Sequence, residues 1–199
     1  MDINAVIEKV MRLARLDTTV FDDVRDDQQE LVPALIVAGV SFLLAGFGAF
    51  MWWTVIPDFE PDSTFLNTVI LGTIFAIVLY GVAALAVYVV MAQMYRVTVD
   101  LQSLVRTMGY AAAPMALSLL MLIPIIWPLF GLVPLALLFW TMTQAVRSAT
   151  NAEENHAVMA TLIGFSVMVV VLGLISLSAG SSDAPMGAGM FGVLYDFTR

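Results

Sequence analysis

The sequence predicts an all-α integral membrane bundle of about five transmembrane helices, preceded by an N-terminal amphipathic helix on the membrane surface. Two observations predict this fold class. Hydrophobic residues make up 61% of the 199 residues, whereas a soluble domain is typically about 45–50% apolar. The apolar residues also fall into runs without charge that are long enough to cross a bilayer. A soluble fold of this length would leave much of the apolar surface of these residues exposed to water.

Composition also excludes several classes of function. The chain contains no cysteine, so a disulfide framework, a thiolate nucleophile and a cysteine metal site are ruled out. The net charge is −8 and the eight Lys and Arg residues are scattered, whereas binding to nucleic-acid phosphates needs clustered basic residues. We therefore expect no nucleic-acid partner. Residues 1–30 contain no apolar run of the about 7–15 residues that a signal peptide needs. We therefore expect no cleaved signal peptide, and we expect the first span to be retained.

Residues 1–30 are predicted to form a cytoplasmic lead-in that is first amphipathic and then acidic. Apolar residues recur at helical spacing in its first part, at Ile3, Val6, Ile7, Val10 and Leu13 or Ala14. Basic residues lie mostly off this stripe, at Lys9, Arg12 and Arg15. The acidic part follows, with Asp22, Asp23, Asp26, Asp27 and Glu30. This pattern favours a helix on the cytoplasmic membrane surface and a link to the first span.

The membrane domain is predicted over residues 31–178. A helix needs about 20 apolar residues to cross a bilayer core of about 30 Å. Five segments suit this length, at about 31–56, 65–95, 107–126, 130–147 and 157–178.

The run at 107–146 is divided into two spans because one helix of that length would measure about 60 Å, twice the membrane thickness. Pro124, Pro128, Gly131 and Pro134 cluster in its middle, where proline removes backbone donors and bends helices. We place the turn near 126–132. A re-entrant hairpin that does not fully cross the membrane is the alternative for this run.

The distribution of basic residues predicts the orientation. With five spans, one side of the membrane carries seven of the eight basic residues, namely Lys9, Arg12, Arg15, Arg25, Arg96, Arg106 and Arg147. The other side carries Arg199. Cytoplasmic segments are enriched in Lys and Arg, so the N-terminus is predicted to be cytoplasmic and the C-terminus outside. Residues 179–199 are predicted to form a flexible external tail, because Gly and Ser are frequent there.

Candidate catalytic and ligand-binding residues are few. The apolar runs carry no charged residue, which counts against a proton-coupled transporter but leaves a pore lined by Ser, Thr and backbone open. His156 is the single histidine, and without a second ligand it is more often an interfacial residue than a metal or porphyrin ligand. Glu153 and Glu154 point about 100° apart on a helix, so their carboxylates do not converge on one substrate atom. No phosphate loop, dinucleotide fingerprint or zincin helix is present. We predict no enzyme activity, no cofactor and no metal site.

The most distinctive segment of the chain is 100–115, which reads DLQSLVRTMGYAAAPM. It resembles the signature region of the Yip-domain family, the Ypt/Rab-interacting-protein type of five-span membrane proteins. In that family a short polar loop leads through a basic residue into Gly-Tyr-Ala and then a proline, here Arg106, Gly109, Tyr110, Ala111 and Pro114. The layout is similar over roughly residues 4–178. The Asp-Leu-Tyr-Gly-Pro element of the eukaryotic trafficking members is missing, so the chain resembles the prokaryotic branch, and a bacterial cytoplasmic membrane is expected.

The signature residues have two readings. Arg106, Gly109, Tyr110 and Pro114 are either anchoring and kink residues or a contact site for lipid or a partner protein. The resemblance and the amphipathic N-terminus favour a non-catalytic scaffold that organises the membrane or recruits partners. An accessory subunit of a larger respiratory or photosynthetic membrane complex is the alternative, and a small permease or channel is the second alternative. The expected partners are the lipid bilayer and other membrane proteins or further copies of the chain.

Overall fold

The computed structural model describes residues 2–55, 65–123 and 127–178, and each element within these ranges is helical. The α-helices in these ranges are α1 (Ile3–Ala14), α2 (Val20–Asp26), α3 (Leu31–Val55), α4 (Gly72–Val89), α5 (Leu101–Ala111), α6 (Trp127–Thr150) and α7 (Glu154–Ser178). A short 3-10 helix lies at Gln28–Glu30 and a longer one at Ala113–Leu122, and π-helical segments lie at Phe65–Leu71 and Val90–Met94.

Five helical stretches in the described residues are long and apolar enough to cross a membrane: Gln28–Met51, Thr68–Met94, Leu101–Met121, Leu129–Thr150 and Glu154–Leu174. The predicted all-α membrane fold is therefore confirmed. The third stretch is the least apolar, with a mean hydropathy of 1.3, and the most buried, with 61% of its residues enclosed. A helix that is covered by protein does not need a fully apolar surface.

The third span begins earlier than the charge-free run. Asp100 precedes α5, and its carboxylate accepts hydrogen bonds from the backbone N–H groups of Gln102 and Ser103, at 3.3 and 2.9 Å. This is N-capping, in which a side-chain oxygen pairs a donor that the first helical turn leaves free. The helix thus includes Arg106, which the charge-free run left outside the predicted span at 107–126.

Helix α6 begins before the span predicted at 130–147, although the apolar stretch within it begins at Leu129. Helix α6 starts at Trp127, so the described part of the turn predicted near 126–132 is helical, while residues 124–126 lie outside the described ranges. Pro128 falls in the first turn of α6, where its missing N–H would have no helical partner in any case. Pro134 lies inside α6. The 57–64 loop and the predicted tail at 179–199 also lie outside the described ranges.

The chain forms two compact units. The first unit comprises the described parts of 1–38, 81–113 and 138–166. Its helices approach closely at small residues. A Cβ added at Gly164 would lie 2.6 Å from the carbonyl oxygen of Ala83, which is too short for any side chain. Close approach at Gly and Ala is how membrane helices gain packing contact.

The second unit comprises the described parts of 39–80, 114–137 and 167–199. A Cβ added at Gly48 would lie 2.0 Å from the carbonyl oxygen of Ser118, so these two backbones also touch. Larger side chains fill the space elsewhere in this unit. The rings of Phe42 and Tyr80 lie 5.3 Å apart and are tilted, a favourable arrangement for an aromatic pair.

Candidate functional site

Arg106 is a buried charge that serves the end of another helix. Its side chain is only 4% exposed, and its guanidinium donates hydrogen bonds to the carbonyls of Val24 and Arg25 and to the hydroxyl of Ser103. The carboxylate of Asp100 lies 3.9 Å away. Val24 and Arg25 are in the last turn of α2, whose carbonyls have no partner within their own helix. Arg106 therefore caps α2 from α5.

Tyr110 lies one helical turn after Arg106, on the same face of α5. Its hydroxyl donates a 2.6 Å hydrogen bond to one carboxylate oxygen of Glu30, and the ammonium of Lys9 donates to the other oxygen. Glu30 and Tyr110 are both buried. A buried carboxylate is costly unless it is paired, and here both of its oxygens have a donor. We call Lys9, Glu30, Arg106 and Tyr110 the N-terminal latch.

The latch joins three parts of the first unit. Lys9 belongs to α1, Glu30 directly precedes α3, and Arg106 and Tyr110 belong to α5. Apolar packing reinforces it, because α2 packs against α5 and presents buried side chains at Val20, Phe21 and Val24. Helix α2 and Glu30 are thus bound to α5 by both polar contacts and packing, and Lys9 binds α1 to Glu30.

A second set of polar contacts ties α2 to the end of α6. The guanidinium of Arg25 donates to the carbonyl of Ser148 at 3.0 Å and to the side-chain oxygen of Asn151 at 3.3 Å. The hydroxyl of Ser148 donates to Asp22 at 2.6 Å. Helix α2 is therefore held between α5 and α6.

The turn between α1 and α2 is closed by Asp17. Its carboxylate accepts hydrogen bonds from the hydroxyl and N–H of Thr19 and from the guanidinium of Arg12. The hydroxyl of Thr19, then Arg12, lowers the pKa of Asp17 to about 2. Arg12 also binds Asp23 at 2.8 Å. The ionised form of Asp17 is thus the one that the folded turn stabilises.

Gly109 and Pro114 act on the backbone. A Cβ added at Gly109 would lie 2.6 Å from the carbonyl oxygen of Ala34, so α5 and α3 approach as closely as backbones allow. Pro114 lacks an N–H and cannot bond the carbonyl of Ala111 three residues before it. That carbonyl instead accepts a 2.7 Å hydrogen bond from the hydroxyl of Thr141.

The structure therefore brings Arg106 and Tyr110 into one cluster. Gly109 instead faces α3, and Pro114 affects the hydrogen bonding of the backbone around it. Both side chains of the cluster have partners inside the first unit. A direct contact of the four residues with lipid or a second protein stays a prediction.

Sequence reasoning missed Glu30 and Lys9 as partners of this cluster. The signal available for Glu30 was its position immediately before an apolar run, where a carboxylate needs a donor. Nothing in one sequence pairs it with Tyr110.

The described residues show no metal cluster, since no group of three or more His, Cys, Asp or Glu residues among them is arranged to hold an ion. His156 stacks on Tyr95, with ring centroids 4.1 Å apart. The polar side chains of the site bind neighbouring helices to one another, so their role in the structure is to hold these helices in place.

Comparison with known proteins identifies a family. The profile of the Yip1 domain matches residues 17–177, which includes every latch residue except Lys9. Neither the curated proteins nor the solved structures contain a match. Helix α1 ends before the matched region begins.

Proposed function

This chain belongs to the Yip1 domain family, and we propose that this integral membrane protein is a non-catalytic scaffold that organises its bilayer or recruits partner proteins. The N-terminal latch is the observation that carries the proposal. Its ionisable side chains fix the position of the lead-in. Arg106 donates to the last carbonyls of α2 and to Ser103, and Glu30 accepts from Tyr110 and Lys9. A rigidly presented surface segment suits recruitment, whereas a reaction or an ion path needs polar groups that are open to a substrate.

Localisation is part of the proposal. We place the chain in a bacterial cytoplasmic membrane, with the N-terminus cytoplasmic and the C-terminus outside. The support is the distribution of Lys and Arg along the sequence. Five of the eight lie in segments that five spans would put on the N-terminal side, and Arg106 and Arg147 lie within spans, near the ends that face that side.

The partner proteins are proposed to meet the side of the membrane on which the latch lies. The exposed apolar residues of α3 and α4, such as Leu35, Leu43, Ile74 and Val78, suit lipid or the spans of a neighbouring protein. Exposed apolar residues are expected both in a scaffold and in a subunit of a larger complex, so their exposure does not distinguish these two functions.

Purification of the full chain in nanodiscs, followed by quantitative mass spectrometry of lipid and protein, tests the proposal. We expect the chain with lipid, and any partner proteins at a variable ratio. Partners at a fixed ratio would instead make it an accessory subunit of a complex. Solute flux through liposomes that contain only this chain would make it a permease or channel. Either result overturns the scaffold.

A matched pair of variants tests the role of the signature residues. The double variant Arg106→Ala with Tyr110→Ala removes two latch residues. Tyr88→Ala is the control, because the Tyr88 hydroxyl has no hydrogen bond to another described residue. We expect partner recovery to fall in the double variant and to persist in the control, with helix content checked by circular dichroism. Unchanged recovery in the double variant would remove the contact role of these residues.

A further inference from the structure

Helix α1 has an apolar stripe with two different edges. On one edge Leu13 is buried, and Val6 and Val10 are half-buried. On the other edge Ile3, Ile7 and Met11 are 62%, 52% and 51% exposed. Successive residues turn by about 100°, which places these last three within about 80° of one another on the helix. We call Ile3, Ile7 and Met11 the outer edge of α1.

The polar contacts of α1 fix the direction of this outer edge. Lys9 binds Glu30, and Arg12 binds Asp17 and Asp23. By helical geometry Lys9 and Arg12 project from the side of α1 opposite to the outer edge. The ion pairs therefore hold α1 with its outer edge turned away from α2 and from the latch.

The same contacts fix the depth of α1. Glu30 directly precedes Leu31, the first residue of α3, and lies inside the span Gln28–Met51. Because Lys9 binds Glu30, the middle of α1 is held within one side chain of the point where the chain enters the membrane. The lipid headgroups and the first carbons of the acyl chains are the surroundings at this depth.

We propose that the outer edge of α1 inserts between the phospholipids of the bilayer that the chain spans. Exposed apolar residues at the depth of the headgroups are stabilised by contact with acyl carbons. Arg15 supports this occupant, since it is exposed, lies beside the outer edge on the helix, and has no side-chain partner among the described residues. Its guanidinium is free to bind a lipid phosphate.

This inference rests on the proposed function, because it names the lipid contact through which the scaffold would organise its bilayer. It concerns a segment that precedes the matched family region. An insertion into a single leaflet separates headgroups on one side of the membrane only, so a latched α1 would act on lipid packing at a fixed place beside the first span.

Spin labels at single cysteines test the insertion. The natural chain has no cysteine, so Ile7→Cys and Met11→Cys each give one label, and Glu8→Cys on the polar side is the matched control. The full chain is reconstituted in nanodiscs of phosphatidylcholine and phosphatidylglycerol. We expect collisions with oxygen, relative to a water-soluble nickel chelate, to be several-fold more frequent at residues 7 and 11 than at residue 8.

Two results would overturn the proposal. Labels at 7 and 11 that meet the nickel chelate as often as the label at 8 would place the outer edge in water. Dipolar broadening between labels on two copies in one nanodisc would assign the edge to self-association. The measurement uses only the purified chain and lipid. Its failure is therefore separate from the results that overturn the scaffold, which are partners at a fixed ratio or solute flux through liposomes. Either of those results would leave the lipid contact standing.

Discussion

At Gly109, as at Gly164, the first unit has no room for a side chain, because a Cβ at Gly109 would come within 2.6 Å of the Ala34 carbonyl oxygen. We predict that Gly109→Ala lowers the free energy of unfolding by about 1–3 kcal/mol, the usual cost of overpacking. Gly81→Ala is the control, because nothing lies within 4 Å of a Cβ at Gly81. It should leave stability unchanged or raise it by up to about 1 kcal/mol. Unfolding in a denaturing detergent titration measures both, and equal losses would contradict the close approach.

Tyr110 and Lys9 share one acceptor, the buried carboxylate of Glu30. We predict that Tyr110→Phe lowers the free energy of unfolding by about 1–3 kcal/mol, because a buried acceptor loses a donor. Combined with Lys9→Met in a double-mutant cycle, the two changes should show a coupling of at least about 0.5 kcal/mol.

Tyr88→Phe is the control for this cycle, since the Tyr88 hydroxyl has no hydrogen-bond partner in the described part of the chain. It should cost little and show no coupling to Lys9→Met. Strictly additive effects of Tyr110→Phe and Lys9→Met would mean that the two donors do not act on a common group.

At the residue scale the sequence predicted which side chains matter but not what they bind. The motif drew attention to Arg106, Gly109, Tyr110 and Pro114 through a family resemblance. Helical spacing placed Arg106 and Tyr110 on one face. Their partners lie about 80 positions away in the chain, and such pairs are set by how helices pack. The periodicity of a single sequence does not show which helices pack against each other.

At the scale of the element, the turn between α1 and α2 depends on an ionised Asp17. Its pKa is lowered to about 2, below the usual value of about 3.9 for an unfolded chain. The stabilisation from Asp17 is therefore complete above about pH 4 and is lost as the pH falls through 2. We predict that hydrogen exchange of the Thr19 amide is slow at pH 5 and accelerates, beyond the intrinsic pH effect, as Asp17 protonates.

Asp17→Asn is the control for this pH dependence. It should expose the Thr19 amide at neutral pH and remove the additional acceleration in acid. If the natural chain and this variant show the same protection at every pH, Asp17 does not close the turn.

The change from α5 to the 3-10 helix at Ala113–Leu122 depends on an unusual hydrogen bond. The Ala111 carbonyl is bonded by the Thr141 hydroxyl, since Pro114 has no N–H to offer. We predict that Thr141→Val lowers the free energy of unfolding by about 1 kcal/mol. In a Pro114→Ala background, where residue 114 has an N–H, the same substitution should cost less. An unchanged cost in that background would show that the proline does not create the need for Thr141.

Element boundaries were only partly predictable from sequence. Long apolar runs predicted helices because a bilayer leaves few alternatives for the backbone. The run counted from Thr107 nevertheless began too late, because an N-cap at Asp100 and a buried Arg106 extend α5 toward the N-terminus. The 3-10 and π-helical segments follow from local packing and from Pro114, which composition does not reveal.

For the whole molecule, the orientation in the membrane is the prediction to test. With five spans and basic residues on the N-terminal side, cysteines introduced as Asp62→Cys and Ser181→Cys should react with an impermeant maleimide from outside intact cells. Asn151→Cys should react only after permeabilisation. The absence of natural cysteine makes each signal specific. Labelling of residue 62 or 181 only from the cytoplasm would mean that the orientation is reversed or that fewer than five helices cross the membrane.

The fold class of the whole molecule was predictable because composition and run length decide it. A chain that is 61% hydrophobic has one suitable solvent, and the number of spans follows from the thickness of that solvent. The division into two compact units was not predictable, because each long helix contributes to both of them. No break in composition marks that division.

The latch also sets an order of events during synthesis. Lys9 and Glu30 leave the ribosome long before Arg106 and Tyr110, and at about 5–20 residues per second the delay amounts to several seconds. Until the third span is made, Glu30 lacks its tyrosine donor and the last carbonyls of α2 lack their cap. We therefore expect α2 and Glu30 to reach their bound positions only after the third span has been made.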